Sequence, residues 1–295
     1  MIQKTIYALG FFDGVHLGHA ALLRTCLSLA RENGCDAGVV TFAAHPDTLV
    51  LGSTPGLINT AADRERLLRR LFAMDTVVTL PFDEHMKHMP WQDFLRMLLD
   101  RYGAAGFVCG EDFRFGFLGR GDAGSLGAFC REMGLPWAVV PEQTLEGERI
   151  SSTRIRERLQ KGDMAGAVRL LGHPHILTGP VVHGHQLGRT LGIPTANLHL
   201  PVELAVPRFG VYACRCSIDG RSYPAVTNIG TRPTVSGRGV TVEPWILDYE
   251  GDLYGRELTL EFFEFLRPEQ KFPSLEAMKE EIHRNAAQTR RTVPC

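Results

Sequence analysis

The chain has 295 residues, which is enough for two domains that each bury a hydrophobic core. Its 32 basic and 33 acidic side chains give a formal net charge of −1, which argues against a general surface for nucleic acid or anionic membrane but permits local anion pockets. Seven cysteines without a C-x-x-C pair, and the lack of an apolar run near the roughly 18 residues of a membrane span, predict a soluble cytoplasmic protein with reduced thiols.

The first half of the chain alternates short apolar runs with amphipathic runs, which is typical of a parallel sheet with helices on both faces. The predicted strands are Thr5–Leu9, Gly38–Phe42, Thr76–Leu80, Gly106–Cys109 and Trp137–Val140. The predicted helices are Ala20–Glu32, Ala62–Phe72, Trp91–Arg101 and Ala123–Met133. We therefore predict an α/β domain with a doubly wound parallel sheet over residues 1–171, with Met164–Leu171 as a helical connector.

A glycine-containing loop follows the first predicted strand and leads into the first predicted helix. Its sequence is GFFDGVHLGH at positions 10–19. Gly10, Gly14 and Gly18 allow backbone amides to approach an anion, while His16 and His19, three residues apart, can share one side of the helix entry. This loop resembles the H-x-G-H signature of the nucleotidyltransferase superfamily, in which two histidines stabilise charge on the attacked α-phosphate and the departing pyrophosphate.

Two later segments fit the same site. The sequence GEDFRFG at 110–116 follows the fourth predicted strand and so lies at the carboxyl edge of the sheet, where doubly wound folds bind ligands. The sequence ISSTRIR at 150–156 opens a helix, and its Arg154 and Arg156 oppose the helix dipole unless an anion binds there. The aromatic and acidic groups of the first segment can hold a nucleobase or another ring substrate, with an aromatic plug of the loop as the alternative. The second segment favours a substrate with phosphate groups, with a solvated basic helix end as the alternative.

The second half of the chain changes pattern after Gly172. Its predicted strands are joined by Gly, Pro and Asp turns rather than by helices, and they are Ile176–His183, Val211–Ile218, Ser222–Thr227, Thr241–Tyr249 and Glu257–Leu266. Only Ser274–Ala287 is clearly helical. We predict a small antiparallel β-barrel with a terminal helix over residues 172–295.

A glycine-rich, basic stretch follows the first of these strands. It runs from GPVVHG at 179–184 to GRTLGIPTAN at 188–197. Its backbone amides can wrap phosphates, and the hydroxyl of Thr195 and the carbonyl of Asn197 are hard oxygen ligands suited to Mg²⁺. By composition alone, an ordinary turn-rich loop remains the alternative.

The first half resembles the adenylyltransferase module of the bacterial bifunctional riboflavin kinase/FAD synthetase family. The family patterns G-x-F-D-G-x-H-x-G-H, G-x-[DN]-F-x-F-G and S-S-T-x-I-R occur here in order. The resemblance implies that His16 and His19 face the ATP phosphates. It also implies binding roles for Gly10, Asp13, Gly14, Asp112, Ser152, Thr153 and Arg156. One departure is at 41–46, where the sequence TFAAHP lacks the acidic residue that the family often has before His-Pro.

The second half resembles the riboflavin kinase module of the same family. The signature G-R-x-L-G-x-P-T-A-N is followed in family order by NIGTRPT at 228–234, VEPWILDY at 242–249 and DLYG at 252–255. The resemblance implies that Thr195 and Asn197 contact Mg-ATP and that Glu243 is the general base. It also implies nucleotide-binding roles for Gly184, Arg189 and Gly192.

Together these resemblances imply an enzyme that phosphorylates riboflavin to FMN and then adenylylates FMN to FAD, with Mg²⁺ and ATP as co-substrate. The expected partners are riboflavin, FMN and ATP, with no nucleic acid and no membrane; the sequence gives no indication of oligomeric state. Two alternatives stay open at this point. One of the two activities could have been lost, or the chain could bind flavin without turnover. An RNA-linked nucleotidyltransferase is disfavoured by the near-neutral charge.

Overall fold

The structure is a computed structural model that describes residues 3–50, 56–182, 193–234 and 237–294. The chain forms two compact units, Met1–Ser152 and Thr153–Cys295. Among the described residues, no helix is long and apolar enough to cross a membrane.

The first unit is built on a five-stranded parallel sheet. Its strands are β1 (Thr5–Leu9), β2 (Asp36–Phe42), β3 (Thr76–Leu80), β4 (Ala104–Gly110) and β5 (Trp137–Val140). Their spatial order is β3-β2-β1-β4-β5. The order reverses at β1, so the predicted doubly wound parallel sheet is confirmed. The carboxyl end of β1, where the glycine loop begins, lies at this switch point.

Helices connect these strands. They are α1 (Leu17–Glu32), α2 (Pro46–Val50), α3 (Ala61–Phe72), α4 (Glu84–His88), α5 (Trp91–Tyr102) and α6 (Ala123–Met133). Side-chain caps mark several starts, because Thr60, Asp83 and Asp122 each accept a hydrogen bond from a backbone amide of the first turn. A short hairpin of β6 (Thr144–Leu145) and β7 (Glu148–Arg149) follows β5.

The second unit is a closed barrel preceded by two helices, α7 (Ser152–Lys161) and α8 (Met164–Leu171), and followed by α9 (Leu275–Thr292). The barrel strands are β8 (His175–Val182), β9 (Asn197–Leu198), β10 (Gly210–Ile218), β11 (Arg221–Thr234), β12 (Gly237–Ile246) and β13 (Glu257–Arg267). All their pairings are antiparallel, in the order β10-β11-β12-β9-β8-β13. The predicted barrel with a terminal helix is therefore confirmed.

Two strand predictions differ from the structure by more than two residues at one end or both. The predicted strand Ser222–Thr227 continues to Thr234, because the apparent turn at Asn228–Gly230 instead pairs with β12. The predicted strand Thr241–Tyr249 ends at Ile246, and Asp248 has a φ of 59°, which strand geometry does not allow.

The helix α8 packs against β8 and β13 of the barrel, so it belongs to the second compact unit. The compact units therefore divide earlier than residues 171 and 172. The boundary predicted between residues 171 and 172 separates the two functional modules, and it stays a prediction.

Candidate active sites

The glycine loop of the first unit has an unusual backbone. Phe12 and Val15 have positive φ angles of 60° and 44°, although neither is glycine, and both side chains are buried. Such conformations are disfavoured for residues with a side chain, above all for β-branched ones, and persist where surrounding contacts hold them. The carboxylate of Asp13 supplies such contacts, because its Oδ1 accepts hydrogen bonds from the amides of Ile58 at 2.8 Å and Asn59 at 3.3 Å.

The same loop positions the two histidines. His16 caps α1, and its Nδ1 accepts a hydrogen bond from the backbone amide of His19 at 3.3 Å. A neutral His16 therefore carries its proton on Nε2, which can donate to a ligand. The two imidazole rings are stacked, with centroids 3.6 Å apart. Burial, followed by the charges of His16 and Arg64, holds the pKa of His19 well below its usual value. In the protein without substrate, the His19 side chain is therefore uncharged at pH 7.

A cavity of about 260 Å³ opens beside these histidines at the carboxyl edge of β4 and β5. The predicted site residues that line it are His16, His19, Asp112 and Ser152, and Gly18 lies in its wall. Asp112 forms an ion pair with Arg149 from β7 at 3.2 Å, and Arg149 also pairs with Glu142. Sequence reasoning missed Arg149, which brings a cation into the same cavity wall.

The segment at 151–156 supplies the remaining predicted phosphate ligands. The hydroxyl of Ser152, the last residue of the first compact unit, donates to the backbone oxygen of Asp13 in the glycine loop at 2.8 Å. Thr153 and Arg156 begin the second compact unit, where Arg156 Nη2 donates to Thr153 Oγ1 at 3.2 Å. Gly10, Asp13 and Gly14 belong to the strained loop and do not line the cavity.

In the second unit, the backbone of β9 places its flanking residues beside β12. The amide of Ala196 donates to the oxygen of Pro244 at 3.0 Å, and Leu198 pairs with Val242. Thr195 and Asn197 thus lie next to the strand position of Glu243. Sequence reasoning did not predict β9, because it is only two residues long and follows a proline-containing stretch. Gly184, Arg189 and Gly192 lie outside the described residues.

Two cavities of about 340 Å³ each open on the barrel. The first has Tyr249, Asp252 and Tyr254 in its wall, and the second has Glu243, Trp245 and residues of α9. Thr195 lines both cavities, whereas Glu243 lines only the second. A ligand in each cavity would therefore meet at Thr195.

Comparisons with known proteins also divide the chain into two modules. The riboflavin kinase family model matches residues 171–293, and the FAD synthetase family model matches residues 1–154. A bifunctional riboflavin kinase/FMN adenylyltransferase of Pseudomonas fluorescens is 39% identical over 97% of this chain and 92% of its own length. The chain belongs to this bifunctional family. A member from Escherichia coli strain K12 is 35% identical over 96% of this chain and 91% of its own length.

A solved structure from Streptococcus pneumoniae, titled a macrolide-efflux protein, superposes with a TM-score of 0.86 at 30% identity. It covers 98% of this chain and 95% of its own chain. As a member of the riboflavin kinase/FMN adenylyltransferase family, the chain is an enzyme that phosphorylates riboflavin and adenylylates FMN. The alternatives of one lost activity and of flavin binding without turnover are disfavoured by the match to both family models.

Family membership draws attention to polar residues of the second barrel cavity that sequence reasoning missed. Asn228, the cross-strand partner of Glu243, donates from Nδ2 to Glu269 Oε1 at 3.2 Å. Arg267 donates from Nε to Asn285 Oδ1 at 3.0 Å, and burial lowers the pKa of its guanidinium. Asn228 begins the family block NIGTRPT at 228–234, whereas only the fold brings Arg267, Glu269 and Asn285 to this cavity.

Proposed function

We propose that the barrel unit makes FMN with Glu243 as its general base, and that the first unit makes FAD with His16 and His19 as its charge-stabilising pair. The observation that supports the kinase assignment best is the position of Thr195 in the walls of both barrel cavities. Phosphoryl transfer requires donor and acceptor to approach in line, and neighbouring cavities with a shared wall allow this.

We assign riboflavin to the cavity that contains Glu243. The side chains of Trp245, Phe272 and Ile282 give it apolar walls for a ring system, while Asn228 and Gln270 supply hydrogen-bonding groups. The carboxylate of Glu243 takes the proton of the ribityl primary hydroxyl as that oxygen attacks the γ-phosphorus of ATP. The bond between the γ-phosphorus and the bridging oxygen breaks, and ADP leaves.

We assign ATP to the neighbouring cavity, which contains Tyr249 and Tyr254. Thr195 and Asn197 fit a Mg²⁺ ion by the chemistry of their donors, a hydroxyl and an amide carbonyl, with substrate phosphates completing the shell. When bound, Mg²⁺ neutralises charge on the phosphoryl group being transferred. Thr195 also bounds the cavity of the acceptor, so it orients donor and acceptor together.

In the first unit, a phosphate oxygen of FMN attacks the α-phosphorus of ATP, and the bond to pyrophosphate breaks. No covalent enzyme intermediate is needed, because FMN is itself the nucleophile. Nε2 of His16 and the neutral ring of His19 donate hydrogen bonds to the developing charge, and the start of α1 adds its positive dipole end. Asp112 and Ser152, which line the cavity beside the histidines, are assigned to substrate binding. The binding roles that the resemblance implies for Thr153 and Arg156 stay predictions, as does the cytoplasmic location.

Chromatography of flavins after incubation with Mg-ATP tests the proposed function. One reaction receives riboflavin and a parallel reaction receives FMN. We expect FAD in both. FMN as the only product from riboflavin, with no FAD in either reaction, would leave a kinase alone. The absence of any product would support a flavin-binding protein.

A further inference from the structure

Arg64 is a charged side chain to which the mechanism above assigns no role. It lies in the first turn of α3 and is fully buried, with 0% of its surface exposed. Its Nη2 donates a hydrogen bond to the backbone oxygen of Phe42 at the end of β2. Its guanidinium carbon lies 4.2 Å from the centre of the Phe11 ring, in the glycine loop. Arg64 therefore lies at the carboxyl edge of the sheet, beside the loop that carries the histidines.

Two nitrogen atoms of this guanidinium lack an acceptor. Nε and Nη1 are buried and have no hydrogen-bond partner among the residues that the structure describes. Burial lowers the pKa of Arg64 to about 10, and the charge of Asp13 opposes that effect, so the side chain is cationic at neutral pH. A buried cation with unused donors is costly unless an acceptor completes it, and an oxyanion is the acceptor that suits a guanidinium.

Other unsatisfied polar groups lie in the same region. In the described part of the first unit, every buried side-chain polar atom without a hydrogen-bond partner belongs to His19, Asn59, Asp63 or Arg64. Asn59 adjoins the glycine loop through the carboxylate of Asp13, and the charge of Arg64 helps to lower the pKa of His19. Arg64 packs on the ring of Phe11, and the ring of His19 lies 5.1 Å from that of Phe12, so both side chains lie beside the same loop.

We propose that Arg64 is a phosphate-binding residue of the adenylyl-transfer site. The proposal rests on the adenylyl transfer proposed above for the first unit. Nε and Nη1 donate hydrogen bonds to phosphate oxygens, and the cation offsets the negative charge of the phosphate. The ring of Phe11 is half-buried and covers the guanidinium, so the phosphate reaches Arg64 as this ring moves aside. The phosphate belongs either to FMN or to the polyphosphate chain of ATP.

The variant Arg64→Met tests this role, because it keeps an unbranched, flexible side chain that can fill a buried position but removes the charge and the donors. The matched control is Arg69→Met, which removes an exposed cation that pairs with Glu65 on the same helix. We expect Arg64→Met to lower kcat/KM for FAD formation from FMN by about 100-fold or more, while Arg69→Met stays within about threefold of wild type. Riboflavin phosphorylation by the same preparations reports that the proposed kinase function is intact.

The two phosphate sources are separated by which KM changes. A raised KM for FMN assigns Arg64 to the FMN phosphate. A raised KM for ATP, and for pyrophosphate in the reverse reaction, assigns it to the ATP phosphates. A change in neither, with Arg64→Met matching Arg69→Met, overturns the proposal even when wild-type protein makes FAD.

Should Arg64→Met unfold the first unit, Arg64→Lys decides the question. It keeps the positive charge but loses Nε and Nη1 as donors. We expect KM for one phosphate substrate to rise about tenfold with kcat changed less than about threefold. A lower melting temperature with unchanged KM values would show that Arg64 only supports the fold and would overturn the proposal.

Discussion

At the scale of single residues, each candidate site depends on side chains whose neighbours fix their orientation. The Nδ1 atom of His16 accepts a hydrogen bond from the amide of His19, which fixes the orientation of the ring. Glu243 stands opposite Asn228 in the barrel ladder, and Asn228 in turn donates to Glu269. These contacts make the proposed roles sensitive to single substitutions.

Glu243→Gln is expected to lower FMN formation by about 10²–10⁴-fold, because the amide cannot accept the proton of the ribityl hydroxyl. Conversion of supplied FMN to FAD should stay near wild type. The measurement is the initial rate of each reaction by flavin chromatography. The exposed Glu280→Gln on α9 is the matched control and should leave both rates unchanged. Full kinase activity in Glu243→Gln would remove Glu243 from the mechanism.

Gly18→Ala is expected to reduce FAD formation without affecting FMN formation. A Cβ at position 18 would lie 3.1 Å from both Nδ1 and Cε1 of the His16 ring, so the ring must shift slightly from its capping position. Misplacing a positioned group by about 1 Å can cost about 100-fold in rate, so this smaller shift should cost less than that. The control Gly124→Ala has its nearest contact at 3.4 Å, an ordinary distance. An unchanged rate for Gly18→Ala would show that the position of the His16 ring does not matter.

At the scale of secondary-structure elements, the barrel contains a buried imidazole on β8. His175 is fully buried, its ring packs 5.6 Å from that of Phe262, and neither ring nitrogen has a hydrogen-bond partner among the described residues. Burial, with a smaller effect of His173, lowers the pKa of His175 to about 3. The unfolded chain therefore binds a proton below its ordinary pKa of about 6.5, while the folded barrel does not.

This difference predicts that the barrel loses stability as the pH falls below about 6.5, by about 1.4 kcal/mol for each pH unit until the folded pKa is approached. Above that pH the contribution is constant. His175→Phe should remove the decrease in the free energy of unfolding that this histidine causes, which is about 2 kcal/mol between pH 6.5 and 5. Denaturant unfolding at several pH values measures it, with the exposed His199→Gln as control. If the free energy of unfolding fell equally with pH in wild type and in His175→Phe, His175 would not be the cause of the decrease.

Elements with strong periodicity were predictable from the sequence, and elements set by distant pairing were not. Thr5–Leu9, Thr76–Leu80 and Ala123–Met133 occur with the predicted bounds, because apolar spacing and caps are local signals. The strand β9 and the far half of β11 depend on partners elsewhere in the barrel, so local sequence gave no sign of them. Arg64 and Arg149 escaped notice because only the fold shows that one is buried and the other borders a cavity.

At the scale of the whole molecule, the candidate residues of the two reactions are separate sets along the chain, so the two reactions should be separable within one chain. FMN is the product of the reaction assigned to the barrel and a substrate of the reaction assigned to the first unit. A protein that has lost one reaction should therefore still perform the other. Two differently impaired proteins should complement each other when they are mixed, because FMN released by one is available to the other.

Mixing Glu243→Gln with His19→Ala decides whether the two reactions use separate sets of residues. With riboflavin and Mg-ATP, we expect no product from Glu243→Gln alone, FMN as the only product from His19→Ala alone, and FAD from the mixture. With supplied FMN, Glu243→Gln should make FAD and His19→Ala should not. Loss of both activities in either folded variant, or no FAD from the mixture, would show that the two reactions do not use separate sets of residues.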